Sequence, residues 1–175
     1  MSNLITFGEN GGDYLQMSNG LTSVFIDVLT LAGSKLAQTV DEKLLIVWLA
    51  EKDQNAVGIG TVGFDIREMP WNTEHFEENK RFMLKVIKAA ENKTDWDKLD
   101  YQPSEELLFP ALKKFAEMIG KLSAEDIYPN ALTEWVNSAE NDDPILNGFP
   151  KCPKHGVLKT FLGCLLCGAE ETQKK

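Results

Sequence analysis

A chain of 175 residues, 43% hydrophobic and 26% charged, can bury one core and has the composition of a globular protein. Its net charge of −9, with only two arginines (Arg67 and Arg81), argues against nucleic-acid binding, which needs a basic stripe. The longest strongly apolar run, Leu44 to Ala50, is far too short to form a membrane-spanning helix.

Residues 1–8 carry neither the basic nor the long apolar region of a secretory signal, so a cytoplasmic location is expected. Leu4 to Phe7 and Asp13 to Met17 flank the glycine-rich turn Gly8 to Gly12 and read as two short strands. Between Leu21 and Gln38, apolar residues recur at 21, 24, 25, 28, 29, 32 and 36, which is one face of a helix. Asp27 falls at the polar edge of that face and is expected to be a solvated carboxylate.

Leu44 to Ala50 is continuous, apolar and rich in strand formers. It is expected to be a strand buried on both faces, with Trp48 in the core. Val57 to Phe64 is expected to return as its partner in a central β-hairpin. The stretch Gly58-Ile-Gly60-Thr-Val-Gly63 matches the spacing of a dinucleotide fingerprint. That motif needs a helix opening on the glycines, and Pro70 prevents a long one. These glycines therefore read as a bulge or a close backbone approach within a strand.

A helix is expected after Asn72 or Thr73 as N-cap, with Glu74, Glu77 and Glu78 in its first turns and Lys80, Arg81, Lys85 and Lys88 later. Phe76, Met83, Val86, Ile87 and Ala90 form its apolar stripe, and His75 is read as a surface histidine. Pro103-Ser104-Glu105-Glu106 starts another helix, with the stripe Leu108, Leu112, Phe115, Ile119 and Leu122. Pro110 inside it is expected to kink or break it. A last helix is expected from Asn130 to Ala139, followed by a turn-rich linker to Pro150.

The strongest chemical signal comes next. Cys152-Pro-Lys-His155 and Cys164-Leu-Leu-Cys167 read C-x2-H-x8-C-x2-C, two ligand pairs of the kind that bind zinc. A two-residue spacer lets one tight turn aim both ligands of a pair at the metal. Gly156 and Gly168 follow the pairs, where such turns often need a positive φ. Four protein ligands close the coordination sphere, so Cys152, His155, Cys164 and Cys167 point to structural Zn²⁺. Paired cysteines of this type also suit a reducing compartment.

The sequence thus predicts an α+β fold: a small sheet with a central β-hairpin packed by several helices, plus a C-terminal zinc-knuckle unit. Residues 1–147 are expected to form the core domain and residues 148–175 the zinc-binding unit. Residues 151–175 carry a net +3, so residues 1–150 carry −12.

Two stretches carry a resemblance. One is Thr61 to Trp71 with the helix after it and Trp96 to Pro103; the other is the Cys152-to-Gly168 tail. Together they resemble small bacterial cytoplasmic proteins with a C-terminal zinc knuckle, loosely of the polymorphic-toxin immunity type. The resemblance implies a protein partner and carries over no catalytic residue.

Two functions follow from these features. The first is an acidic module that binds a basic protein, an immunity protein against a basic toxin being one form. Its expected face is Glu68, Trp71, Glu74, Glu77 and Glu78, with Trp71 as an exposed aromatic anchor. The alternative is a small carboxylate-dependent hydrolase, which would need Asp65, Glu68, Glu74 and His75 to converge in a cleft. No nucleophile elbow, H-E-x-x-H or phosphate loop supports an enzyme.

Overall fold

The computed structural model describes residues 2–8 and 12–168. Residues 9–11 of the expected glycine turn, and residues 169–175 with the last two lysines of the tail, lie outside the described residues. The expected mixed architecture of helices on a small sheet is present. β1 (Ser2–Phe7) and β2 (Asp13–Ser18) pair antiparallel, with Ile5 opposite Leu15. β2 runs straight into α1 (Asn19–Leu36), whose first turn is capped by Ser18 accepting from the Leu21 amide.

Every residue from Phe25 to Ser34 is buried, so α1 is a central helix enclosed on all sides. Here the structure corrects the expectation for Asp27, which is only 2% exposed. Its carboxylate accepts a 2.6 Å bond from the Tyr101 hydroxyl.

The second correction concerns Leu44 to Ala50. This run is not a strand; it forms most of α2 (Val40–Ala50). Thr39 and Glu42 close a reciprocal capping box, Thr39 Oγ1 accepting from the Glu42 amide and Glu42 accepting from the Thr39 amide. Once the helix is nucleated there, an all-apolar run continues it, because α2 is buried on every side from Leu44 to Ala50.

The central hairpin therefore does not form. Val57 to Phe64 is divided instead. β3 (Asp53–Gln54) pairs with β4 (Gly60–Thr61) as a short separate ladder. β5 (Phe64–Asp65) leaves it and joins β1 in parallel, giving the sheet order β2-β1-β5. Gly63 explains the junction: a Cβ there would lie 2.4 Å from the Leu4 carbonyl oxygen, so only glycine lets the two backbones approach.

α3 (Phe76–Glu91) and α4 (Glu105–Lys121) follow the expected stripes, and all ten stripe residues are buried. Pro110 does not divide α4, which runs through it as one element. α5 (Ala131–Ser138) is short and has no buried residue. α1 packs against α2, α3 and α4, and α3 against α4, so the helices form most of the core around α1.

Trp48 is in the core as expected, at 6% exposure, although it sits on a helix. Its ring meets Phe64 edge-on at 5.0 Å, and the Lys52 ammonium lies 4.1 Å from its centre. Trp48→Ala is expected to cost about 3–4 kcal/mol in urea unfolding. A change below about 0.5 kcal/mol, typical of surface positions, would contradict this packing.

Candidate metal centre and acidic grooves

The C-terminal quartet is built by two turns. Cys152 to Gly156 is closed by the Gly156 amide donating to the Cys152 carbonyl at 2.8 Å, with Gly156 at φ 70°. The glycine at this turn is required, because an L side chain rarely adopts that φ. Cys164 stands just before a helical turn at 165–168 that carries Cys167, and the Cys167 amide points at Cys164 Sγ (3.5 Å). Gly168 continues that turn and has no positive φ, unlike the expectation for it; Gly163, at φ 92°, turns the chain between the pairs instead. Between the turns, antiparallel bridges join Lys151 to Leu158 and Thr160 to Gly163, giving a small hairpin-like unit.

These turns bring Cys152, His155, Cys164 and Cys167 together, with all four ligand atoms within 4.8 Å of one another. His155 Nδ1 lies 3.7, 3.5 and 3.4 Å from the sulfurs of Cys152, Cys164 and Cys167, and the Cys152 and Cys167 sulfurs are 3.6 Å apart. A tetrahedron with metal–sulfur bonds near 2.3 Å and metal–nitrogen bonds near 2.0 Å has S···S edges of about 3.8 Å and S···N edges of about 3.6 Å. The quartet has the size and donor set of a metal-binding cluster. Burial pushes Cys164 up to about 12. Burial also raises Cys152, but amide and ring hydrogen bonds from His155 and the Lys154 amide outweigh it and bring Cys152 down to about 6.

The cluster is sewn onto the core. Leu31 of α1 packs with Cys152, Val157, Cys164 and Leu166, and Leu158 enters the main core. Lys151 Nζ donates to the Ser34 carbonyl at 2.9 Å, and the Leu158 amide donates to Ser34 Oγ at 3.0 Å. Lys151 is thus engaged with the end of α1.

The expected partner face is only partly as anticipated. Glu68, Glu74, Glu77 and Glu78 are all exposed. Trp71 is not: it is 1% exposed, meets Phe76 edge-on at 5.5 Å and donates Nε1–H to the Ile66 carbonyl at 2.8 Å. It is a core residue and cannot anchor a partner without unfolding the strand-to-helix junction. Glu78 lines a groove with His75, Asp41 and Glu42, while Glu68 lines another with Lys52, Tyr128 and Trp135.

Nor do the hydrolase candidates converge. Asp65 accepts from Arg67 Nε at 2.9 Å and Nη2 at 3.2 Å, and from Thr6 Oγ1 at 2.9 Å. Burial raises this carboxyl, but the Arg67 bonds and charge, with Thr6, outweigh it and hold it below the usual range. Asp65 is thereby occupied in joining β5 to β1.

Two arrangements were not foreseen. One is the Asp27–Tyr101 pair inside the core. The other is a groove of about 380 Å³ between the zinc-type unit and the core, walled by Trp135 and Phe161 and lined by Glu51, Glu140, Asp142 and Asp143. The density of acids at 140–143 was a visible signal; its meeting with Glu51 and Phe161 depends on tertiary structure.

No family model, curated protein or solved structure matches the chain. The resemblance to immunity-type proteins draws no support from these comparisons. Among the described residues, no helix is long and apolar enough to cross a membrane.

Proposed function

We propose that the chain is a zinc-stapled acidic module that binds a basic protein in a reducing, cytoplasmic setting. Zinc is the ion that suits three thiols and one imidazole at tetrahedral spacing, and four protein ligands leave no open position for substrate. The metal's role in this reading is to hold residues 148–175 as a unit on the core.

The observation that carries the binding reading is charge. Residues 1–150 carry −12, and Glu74, Glu77 and Glu78 stand exposed at the start of α3 beside the groove that Asp41 and Glu42 line. Such a field accelerates association with a basic partner and orients it, and salt screens it. In its bacterial immunity form, the partner is a basic toxin whose working surface the module covers.

The test is to change Glu74, Glu77 and Glu78 together to lysine and measure association with the product of the neighbouring gene. The expected result is an association rate at least about tenfold slower at low salt, with the difference shrinking as salt rises. Unchanged rate and affinity would exclude this face. If the unaltered protein binds no basic neighbour at all, the function itself is wrong.

A further inference from the structure

The groove between the zinc-type unit and the core has an unusual balance of groups. Four carboxylates line it, from Glu51, Glu140, Asp142 and Asp143, and no basic side chain is among its described lining residues. Lys52, next to Glu51 in sequence, is held over the Trp48 ring. Glu51 follows α2, and Trp135 Nε1 donates to its Oε2 at 3.3 Å. Its other oxygen, Oε1, is closed off from solvent and meets no hydrogen-bond donor among the described residues. Burial, and then the neighbouring Asp143, push Glu51 up to about 7. Asp143 is 8% exposed, with one oxygen accepting from the Ile145 amide.

The walls are aromatic. Phe161 is 56% exposed although it is a large apolar ring, and Trp135 of α5 lines the groove with it. Aromatic faces attract a cation, and apolar walls accept the aliphatic stem that carries it. An anionic phosphate, lipid headgroup or nucleic acid would be repelled. A bare metal ion does not suit a groove of this width, and among the described residues the Cys/His quartet is the one group spaced to hold an ion. Charge complementarity with aromatic walls leaves a long cationic side chain.

We infer that this groove is a socket for an arginine or lysine side chain of a protein partner. Its Phe161 wall comes from the loop between His155 and Cys164, so metal loading of the quartet sets the shape of the socket. The inference rests on the reading of the chain as a module for a basic protein, and it names where one partner side chain enters.

The experiment is a ¹H–¹⁵N titration of the full zinc-loaded chain with N-acetyl-arginine methylamide, and with the citrulline analogue as its neutral isostere. The arginine compound is expected to shift the Trp135 indole N–H, Glu51 and Phe161, and the citrulline compound to leave them in place. Glu140→Gln with Asp142→Asn, both exposed positions, should weaken the arginine compound about fivefold. Phe161→Ala should weaken it similarly while zinc content stays unchanged. No shift at these positions, equal shifts with citrulline, or an unaffected double variant would each overturn the socket. The two readings fail separately. A basic protein that binds the double variant normally, yet is released by the lysine reversal at Glu74, Glu77 and Glu78, removes the socket and keeps the module. Arginine docking in a chain with no basic protein partner removes the module and keeps the socket.

Discussion

Stripping the metal from the quartet is expected to detach the C-terminal unit and leave the helical core folded. Protein purified without chelator should carry close to one equivalent of zinc. Less than about half an equivalent would rule the site out, since folding and binding are coupled in such units. Apart from the metal, the described residues of the unit hold to the core through Phe149, Val157, Leu158, Leu165 and Leu166, which bury apolar surface, and through two bonds to Ser34. Against this, binding of a structural zinc supplies roughly 10 kcal/mol or more. Chelation, or Cys164→Ser, should therefore erase the signals of residues 148–168 from a ¹H–¹⁵N spectrum. The core should keep its dispersion but melt earlier, because Leu31 and Ser34 lose their cover. We propose on this basis that 1–147 and 148–175 are separable units. Loss of the whole spectrum in one transition would show instead that the tail is integral to the core.

The second large effect lies at Asp27. Burial raises its pKa to about 8, Tyr101 opposing this through its hydrogen bond and Asp53 and Asp100 adding to it. Among the described residues, its Oδ1 has no partner. An aspartate in an unfolded chain titrates near 3.9. Between these two values the folded state holds a proton that the unfolded state has released, so stability falls as pH rises. The slope is about 1.4 kcal/mol per pH unit, and the loss approaches about 5 kcal/mol by pH 8. Asp27→Asn removes the titration while its amide oxygen still accepts from Tyr101. The variant should be more stable than the natural chain at pH 8, and the gain should shrink by about 4 kcal/mol at pH 5. Urea unfolding of both proteins at the two pH values measures it. A difference independent of pH would mean that Asp27 titrates like a solvated carboxylate.

What could be read from the residues divides by range. The quartet was legible because each ligand pair is local and its spacing encodes the turn. α1, α3 and α4 were legible because their apolar residues repeat with a helical period. α2 was misread because seven apolar residues in a row carry no period. The deciding signal, Thr39 with Glu42, lay just upstream of the run. Trp71 was read as exposed because Glu68, Glu74, Glu77 and Glu78 cluster around its junction, yet a bond from its indole to Ile66 and the face of Phe76 turn it inward. The groove was invisible for a different reason. Its walls come from residues 51, 135, 138–140, 142, 143 and 161, and no local pattern joins segments so far apart.

The enclosure of α1 also bears on how the chain leaves the ribosome. A helix buried on every side finds no favourable arrangement in water by itself, and the helices that cover it follow it one after another along the chain, α4 ending at Lys121. Until α4 is made, the ten consecutive residues Phe25 to Ser34, which belong in an interior, are only partly enclosed by α2 and α3. A nascent chain in that interval exposes surface that the native fold hides, which is the condition under which holding chaperones bind.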